Sequence, residues 1–306
     1  MPSTKEASKT RRATRANLPE TAPRRATKGG TKPAARPAPR TGATMAANAD
    51  KYDLYIKSVQ SPDVEVAFFD RAFRNYYGRK PMTLREDFCG TAAVCYDWVK
   101  SHPERRAVGV DLDPEPLAWG AKRFGDALKD DQAARVSIVH GDVRTTNSKA
   151  EVVAAQNFSY FCFETRDELR AYFRHVRRCL PAEGILVLDA LGGSEVMEDD
   201  REEETSFGKF KYVWHQVDFD PISHHCRYAI HFRFKDGSEL KNAFRYEWRL
   251  WTLPELRELL AEAGFAGSDV YWETTDRETG EGSGVYRKRD RGDADPAWIV
   301  YIVAWK

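Results

Sequence analysis

The stretch Leu84-Arg85-Glu86-Asp87-Phe88-Cys89-Gly90-Thr91-Ala92 decides the fold of this 306-residue chain. We interpret residues 82–88 as a strand, residues 89–91 as a tight turn and residues 92–100 as a helix. A small-residue turn between a strand and a helix lets backbone N–H groups approach a ligand closely. The sequence therefore predicts a ligand-binding turn, with the acidic side chain of Glu86 at the end of the strand.

Two later loops have the same design. In Val108-Gly109-Val110-Asp111-Leu112-Asp113-Pro114, Asp111 ends the second strand, and in His140-Gly141-Asp142-Val143, Asp142 ends the third. The Asp111 carboxylate is placed to accept both hydroxyls of a ribose, and Asp142 to accept a hydrogen bond from an exocyclic amine. Because ligands of doubly wound sheets bind at the carboxyl ends of the strands, the three acids predict a nucleoside-binding rim.

Strands and helices alternate along the chain as far as residue 191, which predicts a parallel sheet with helices on both faces. The predicted strands are 82–88, 106–111, 135–140, 152–157 and 184–191, and the predicted helices among them are 92–100, 114–123 and 166–180. An earlier helix begins at Ser61-Pro62-Asp63, where serine caps it and proline takes the first helical position, and Gly78 ends it.

The pattern changes after Gly192-Gly193. Three aromatic-rich alternating runs follow, 209–219, 225–234 and 240–251, and Asp236-Gly237 forms a hairpin turn between the last two. A helix at 253–263 and strands at 270–274 and 298–305 then restore the α/β pattern. We therefore predict one Rossmann-like domain over residues 81–306, with an antiparallel β insert at 192–250 after strand five.

Residues 1–48 differ in composition from the rest of the chain. They carry 11 Lys+Arg and two Asp+Glu, six of the 15 prolines and no aromatic residue, whereas the remainder carries 37 basic and 45 acidic side chains. Such a segment cannot bury enough apolar surface to offset its ordering entropy, so we predict a disordered basic tail. It is interpreted as an arm for nucleic acid or another anionic surface, as a solubilising extension, or as a product of start-site choice, since Met45 stands just before the folded part.

Composition also excludes several classes of protein. No run approaches the roughly 18 apolar residues of a membrane span, and the sequence shows no apolar h-region of the kind found in signal peptides. The five cysteines are odd in number and form no Cys-x-x-Cys pair, which indicates reduced thiols in a cytoplasmic protein. No metal is predicted: among His215, His224, His225 and His231, the adjacent pair would point to opposite faces of a strand.

With these residues in place, the run from residue 82 to residue 192 resembles the class I S-adenosylmethionine-dependent methyltransferases. Glu86–Ala92 is similar to the first motif of the family, Asp111 to its ribose-binding acid and Asp142-Val143 to its adenine-side pair, while Gln156-Asn157-Phe158-Ser159-Tyr160 falls on its fourth motif. The resemblance extends over roughly residues 80–306. It implies that S-adenosylmethionine is the cofactor and that the residues that bind it are Glu86, Cys89, Gly90, Thr91, Asp111, Leu112, Asp142, Val143, Asn157 and Phe158.

The first turn departs from the family pattern. Phe88 and Ala92 stand where the family commonly has the outer glycines of Gly-x-Gly-x-Gly. A dehydrogenase also has an acid after its second strand, but it requires Gly-x-Gly-x-x-Gly for its pyrophosphate, and that motif is absent here. Cys89 is interpreted as a small turn residue, since no histidine stands near it to support a nucleophile. Asp113 is interpreted as the cap of the next helix.

No motif names the acceptor of the methyl group. Asn157-Phe158-Ser159-Tyr160 is similar to the Asn-Pro-Pro-Tyr segment of amino-methylating relatives but lacks both prolines, so we interpret it as a cofactor-lining loop. The catalytic candidates are Asn157, Tyr160 and Asp189. The candidates for the acceptor wall are Tyr160, Trp214, Tyr246, Trp248 and Arg249. Residues 49–80, with Tyr52 and Tyr55, form a candidate lid.

An insert and a lid together would enclose the site, which favours a small-molecule acceptor over a duplex. Three alternatives stay open: a nucleic-acid methyltransferase guided by the basic tail, a protein methyltransferase, and a domain that binds the cofactor or its product without catalysis. Aromatic residues on both faces of the insert indicate that its second face is partly covered. A dimer interface over residues 192–250 is one way to cover it.

Overall fold

The computed structural model describes residues 43–275 and 282–306. Its helices are α1 (Lys51–Ser58), α2 (Pro62–Tyr77), α3 (Ala93–Ser101), α4 (Pro114–Arg123), α5 (Asp130–Ala133), α6 (Arg166–Cys179) and α7 (Leu253–Glu262). Its strands are β1 (Thr83–Asp87), β2 (Arg106–Asp111), β3 (Val136–His140), β4 (Val152–Ala155), β5 (Ile185–Gly192), β6 (Arg201–Ser206), β7 (Phe210–Phe219), β8 (His225–Phe234), β9 (Glu239–Arg249), β10 (Gly267–Thr275), β11 (Gly282–Lys288) and β12 (Trp298–Trp305). The tail predicted for residues 1–48 lies outside the described residues, except for its last six.

Eight strands form the central sheet in the order β11-β10-β12-β5-β4-β1-β2-β3. Strands β1 to β5 are parallel to one another, whereas β12 runs antiparallel between β5 and β10. The strand order reverses between β1 and β4, and ligands of such sheets bind at this switch point. The predicted Rossmann-like α/β fold is confirmed.

Each face of the central sheet carries its own hydrophobic cluster, because helices cover parallel strands on both sides. On one face, α6 and α7 pack through Phe173 and Leu259. On the other face, α2 and α3 pack through Phe69 and Trp98. Every residue of β5 is buried. Packing on both sides therefore fixes the strands, and the loops at their carboxyl ends stand on a rigid base.

The ends of several helices follow from local sequence. Pro62 lies in the first turn of α2, and Gly78 ends this helix with φ of 69°, as predicted. The Ser61 side chain makes no capping hydrogen bond, so that part of the prediction is wrong. Helices α6 and α7 begin at Thr165 and Thr252, each of which forms a capping box with the glutamate three residues later.

The antiparallel insert is a four-stranded sheet in the order β6-β7-β8-β9. Three of its strands coincide with the predicted aromatic runs, and Gly237, at φ of 81°, turns the chain between β8 and β9. The sequence pattern does not predict β6, because Arg201–Ser206 is charged and polar. Helix α1 and strand β11 are likewise absent from the sequence prediction.

Residues 43–48 pack onto the folded domain. The Met45 amide donates to Asp236 Oδ2 at 2.8 Å, and the Ala46 amide donates to Ser238 Oγ at 3.0 Å. Both acceptors lie in the turn between β8 and β9. These hydrogen bonds attach Met45 and Ala46 to the folded domain, on the N-terminal side of the start near Asp50 that the sequence predicts.

Two features of composition can be compared with the structure. All five cysteines are unpaired, and every one except Cys162 is buried. Buried unpaired cysteines behave as small hydrophobic residues. Within residues 43–275 and 282–306, no helix has the length and apolar character needed to cross a membrane.

Candidate functional site

The turn after β1 keeps the shape of a glycine-rich loop although it contains one glycine. Phe88, Gly90 and Ala92 have left-handed backbone dihedrals, with φ of 57°, 52° and 55°. A Cβ placed on Gly90 would meet no atom within 4 Å, so the backbone there faces open space. A Cβ on Gly120 of α4 would lie 1.9 Å from the Thr91 carbonyl oxygen, so glycine is what lets α4 pack against the turn.

Asp111 joins the first and second loops. Its Oδ2 accepts the Gly90 amide at 2.7 Å, and its Oδ1 accepts the Asp113 amide at 2.9 Å. An ionised carboxylate has about four lone-pair sites, so acceptor capacity remains for the hydroxyls of a ligand. Asp113 itself caps α4 by accepting the Glu115 amide at 2.9 Å, as predicted. Leu112 is 61% exposed and offers an apolar surface beside the carboxylate.

Glu86 lies beneath the same turn. It is buried, and its Oε2 accepts the Cys95 amide from the first turn of α3 at 3.1 Å. Burial raises the pKa of Glu86 to about 7, because a charged carboxylate is poorly solvated there, while hydrogen bonds from Cys95 act to lower it. Burial also raises the pKa of the Cys89 thiol well above its ordinary value. Cys89 therefore stays a neutral thiol and lacks the thiolate that a nucleophile needs.

Asp142 reaches the same edge of the sheet from the end of β3. Arg144 holds its carboxylate, with Nε 3.0 Å from both oxygens and Nη2 2.6 Å from Oδ2. The hydrogen bonds from Arg144 lower the pKa of Asp142. The Asp142 side chain is 25% exposed, whereas Val143 is buried in the core. This pairing orients Asp142 and keeps it ionised while one side stays open.

The loop after β4 is held by Asp189 of the neighbouring strand β5. The Asp189 carboxylate accepts the Asn157 amide at 2.7 Å and the Phe158 amide at 2.9 Å, and both of these residues have φ of 57°. Burial raises the pKa of Asp189 to about 7, and the two amides act to lower it. With both oxygens engaged by backbone amides, Asp189 positions this loop.

Tyr160 belongs to the core beneath that loop. Its ring is fully buried, and its hydroxyl donates to the Asp189 carbonyl oxygen at 2.7 Å. Burial raises the pKa of this hydroxyl well above its ordinary value, so it stays protonated. Tyr160 does not line the adjacent cavity. The expectation that it contacts the acceptor is corrected by this packing.

A cavity of about 550 Å³ opens beside the loop. Asn157, Phe158 and Asp189 line one side of it. The opposite side, which we call the roof, is the face of the insert sheet that carries Trp214, Tyr246 and Trp248. Ring centroids lie 4.5 Å apart for Tyr246 and Trp248, and 6.1 Å apart for Trp248 and Phe158. The structure thus brings three predicted wall residues together and joins them to the loop.

Arg249 lies outside the cavity. Its guanidinium carbon is 3.9 Å from the centroid of the Trp251 ring, and it donates to the Glu164 carbonyl and to Glu255 at 3.1 Å each. Successive residues of a strand face opposite sides of a sheet, and Trp248 already occupies the cavity side. The prediction that Arg249 contacts the acceptor is corrected for this reason.

Helix α1 closes another side of the cavity and also reaches the cofactor loops. Tyr55 lines the cavity and shares a side-chain hydrogen bond with Tyr246 of the roof. Tyr52 contacts Trp119 of α4 with ring centroids 5.5 Å apart, and Asp50 accepts the Trp119 indole N–H at 2.7 Å. Helix α1 therefore links the insert sheet to α4. The predicted lid occupies this position, and its opening and closing stay a prediction.

A charged cluster on the cavity wall is missing from the sequence prediction. Arg201 contacts Glu195 at 2.5 Å, Glu203 at 2.7 Å and Glu198 at 3.5 Å. Arg201, Glu195 and Glu203 line the cavity. Burial raises the pKa of Glu203. The charge of Arg201 acts to lower this pKa, whereas the charges of Glu195 and Glu198 act to raise it. Strand β6 is charged and polar throughout, so no hydrophobic alternation in the sequence marks these residues, and their half-buried positions are evident only in the structure.

A histidine pair lies on the outer face of the insert sheet, away from the cavity. His215 Nδ1 is 3.2 Å from His231 Nε2, and the Glu202 carboxylate lies within 4.8 Å of both rings. The Asn242 amide donates to His231 Nδ1 at 2.8 Å, so the neutral ring keeps its proton on Nε2 and donates to His215. Arg233 holds Glu202 at 2.8 Å. Hydrogen bonds and an ion pair therefore account for this cluster, and no metal is needed to explain it.

The residues at the strand ends fit S-adenosylmethionine. Open space beside Gly90 admits a ligand next to the turn, and Asp111 retains lone pairs for ribose hydroxyls. The exposed Leu112 side chain offers an apolar surface to an adenine ring. Asp111 and Asp142 place carboxylates at this edge, which suits a positively charged cofactor and would repel a phosphate.

Comparison with known proteins agrees with this fit. Residues 87–188 match the model of the methyltransferase domain family. A search of curated protein sequences gave no match. An S-adenosylmethionine-dependent methyltransferase from Clostridium acetobutylicum has a similar structure, with a TM-score of 0.60 and 15% identity over 83% of this chain and 97% of that one. The amino pentose methyltransferase CalS10 from Micromonospora echinaspora has a TM-score of 0.59 and 18% identity over 84% of this chain and 98% of that one. The sugar N-methyltransferase KedS8 from a Streptoalloteichus species has a TM-score of 0.56 and 18% identity over 90% of this chain and 99% of that one.

At these identities the structural likenesses establish the fold. The family match runs from the end of β1 into β5, so Asp111, Asp142 and the Asn157-Phe158 loop all lie inside it. Three acids at adjacent strand ends, the open turn at Gly90 and this family match agree with one another. Residues 87–188 therefore form a methyltransferase domain, and the chain has the fold of the S-adenosylmethionine-dependent methyltransferases.

Proposed function

We propose that this enzyme methylates a small molecule that binds in the 550 Å³ cavity between the Asn157-Phe158 loop and the roof. The observation that carries the proposal is that the protein surrounds this cavity on several sides. The loop, the roof and helix α1 bound three of its sides. Its volume falls within the roughly 300–1,000 Å³ of small-molecule sites, whereas a duplex would need an open groove.

The cofactor and acceptor sites meet at the Asn157-Phe158 loop. We assign Glu86, Gly90 and Asp111 to the cofactor side, since they surround the open turn. Asn157 and Phe158 belong to both sides: they follow β4, and they also line the cavity. This arrangement would place the reacting methyl group at the boundary between the two sites.

The chain contributes position and the exclusion of water. When bound, S-adenosylmethionine supplies a methyl group that its sulfonium charge already activates. The remaining task is to align the acceptor with that group and to keep water out. Asp189 serves alignment by fixing the loop through two backbone amides. Tyr55 and Tyr246 serve exclusion, because their hydrogen bond joins α1 to the roof.

The structural neighbours give independent support for a small acceptor. Two of them are named as an amino pentose methyltransferase and a sugar N-methyltransferase, and they share the fold over 84% and 90% of this chain. Those names describe acceptors of a size that this cavity admits. These names do not assign a sugar as the acceptor of this enzyme.

Label transfer tests the proposal directly. The full-length enzyme is incubated with methyl-labelled S-adenosylmethionine and a cell extract divided into metabolite, protein and RNA fractions. We expect the label in the metabolite fraction, both with the full chain and with a chain that begins at Met45. Label found only in RNA or protein, and only when residues 1–44 are present, would favour an acceptor guided by the basic tail and would refute the proposal.

A further inference from the structure

Charges on the cavity wall bear on the chemistry of the acceptor. The lining residues that the structure describes include six carboxylates and two cationic side chains. The carboxylates are Glu65, Asp189, Glu195, Glu203, Glu273 and Asp295, and the cations are Lys57 and Arg201. A cleft lined mainly by one sign of charge concentrates ligands of the opposite sign. This wall therefore favours a cation over an anion.

Arg201 does not reverse the imbalance, because three glutamates share its charge. Its guanidinium lies 2.5 Å from Glu195, 2.7 Å from Glu203 and 3.5 Å from Glu198. One positive charge among three carboxylates leaves this side of the wall negative. The Glu203 side chain is 30% exposed, so its carboxylate remains accessible from the cavity.

Aromatic rings lie next to Glu203 on the roof. Glu203 is paired with Trp214 across β6 and β7, so the two side chains are neighbours on one face of the sheet. The centroids of the Trp214 and Tyr246 rings are 6.1 Å apart. Ring faces attract cations electrostatically, and most strongly where water is excluded. A carboxylate beside ring faces is the combination that binds an ammonium group.

The cofactor does not account for this wall. S-adenosylmethionine is a cation, but its predicted contacts at Glu86, Gly90 and Asp111 do not line the cavity, and Asn157 and Phe158, which do, lie on the side opposite the roof. Asp189 has both oxygens engaged by backbone amides, so it is not the group that receives a cation. Glu203, on the roof, is therefore available to the acceptor.

We propose that the acceptor binds as a positively charged amine, with its ammonium group between Glu203 and the rings of Trp214 and Tyr246. This inference rests on the proposed function, since it names the class of small molecule that occupies the cavity. It concerns binding and involves no covalent step. An acceptor that carries a carboxylate or a phosphate near the roof is excluded by the same charges.

A matched pair of probes tests the proposal without knowledge of the natural acceptor. Full-length enzyme saturated with S-adenosylhomocysteine is titrated by calorimetry with benzylamine, a cation at neutral pH, and with benzyl alcohol, a neutral molecule of similar shape. We expect benzylammonium to bind about tenfold more tightly, as one cation–carboxylate or cation–ring contact predicts. Equal affinities for the two probes would overturn the proposal.

Neighbouring glutamates on opposite faces of β6 provide the matched variants. Glu203→Gln should reduce the preference for benzylammonium to about twofold or less, because it removes the charge on the cavity side. Glu204→Gln is the control: Glu204 is exposed on the outer face, where it contacts Lys211 and Arg233 at 2.6 Å each. This control should keep the full preference. A preference that survives in Glu203→Gln would overturn the proposal.

A second variant covers the case in which Glu203→Gln does not fold. Glu203→Asp keeps the charge but withdraws it by one methylene group, so the preference should fall to an intermediate value, and an unchanged preference would count against the proposal. Failure of the amine inference is distinguishable from failure of the proposed function. Loss of small-molecule label transfer bears on the function, whereas equal binding of amine and alcohol bears on the amine alone.

Discussion

Replacing Asp111 by alanine tests the assignment of the cofactor site more directly than any other substitution. The carboxylate accepts the Gly90 amide at 2.7 Å and the Asp113 amide at 2.9 Å, and it is the group predicted to accept the ribose hydroxyls. Asp111→Ala removes all of these acceptors at once. The loops at the ends of β1 and β2 lose their shared anchor, and the cofactor loses its most specific contact.

The expected loss follows from the type of contact. A hydrogen bond to a charged group contributes about 1.5–3 kcal/mol, which corresponds to roughly a 10- to 150-fold change in dissociation constant. Two hydroxyls on one carboxylate favour the upper half of this range. Loss of the Gly90 hydrogen bond should also lower the melting temperature of the cofactor-free protein.

Calorimetric titration of S-adenosylhomocysteine into wild type and variant measures the effect. Asp113→Ala is the matched control, because it removes a carboxylate two residues away whose role is to cap α4. That control should cost about 1 kcal/mol of stability with little change in affinity. Unchanged affinity in Asp111→Ala, or an equal loss in Asp113→Ala, would refute the assignment of the ribose site.

Three further outcomes are expected. The double variant Tyr246→Ala, Trp248→Ala should lose turnover by about 100-fold or more, since both rings belong to the roof, while its affinity for S-adenosylhomocysteine changes by less than about threefold. Steady-state rates measure turnover, and calorimetry measures the affinity. A fully active variant would contradict the acceptor site. A chain that begins at Met45 keeps a nitrogen donor for Asp236, so its melting temperature and cofactor affinity should match those of the full chain, and a fall of several degrees would show that residues 1–44 contribute to the fold. The pKa of Glu86 is raised to about 7, so its contribution to stability is present at acidic pH and is lost as pH rises from about 4.5 through 7, by up to about 3 kcal/mol. Urea unfolding of cofactor-free wild type and Glu86→Gln at acidic and neutral pH checks this, and parallel pH profiles would exclude Glu86 as the cause.

The central sheet and its cofactor loops could be predicted because their signals are local. Each acid lies at the end of a strand or just after it, and parallel strands bring their carboxyl ends to one edge whatever the helices between them contain. The same reasoning identified Asp113 as a helix cap, since Pro114 follows it at the first helical position. Hydrophobic alternation likewise located β7, β8 and β9.

The acceptor wall could be predicted only in part, because it depends on tertiary pairing. Arg201–Ser206 has no apolar alternation, and Glu203 gains its role only from its position beside Trp214 of β7. Tyr160 and Arg249 were assigned from nearness in sequence to motif or roof residues. The direction of the Tyr160 side chain is set by the short helical turn at Ser159–Cys162, which residue spacing does not specify. Arg249 directly follows Trp248 on β9, so strand alternation alone separates their faces.

The left-handed dihedrals at Phe88 and Ala92 bear on how remote homologues of such enzymes are found. A residue with a Cβ costs roughly 1–2 kcal/mol in this conformation, and packing offsets part of that cost at Phe88, whose ring lies 5.9 Å from those of Phe163 and Tyr172. A glycine motif therefore specifies one way to reach these dihedrals, and this chain reaches them with Phe88 and Ala92 instead. A search profile that fixes the strand-end acids and leaves the outer turn positions unconstrained would recover chains that a glycine-anchored profile passes over.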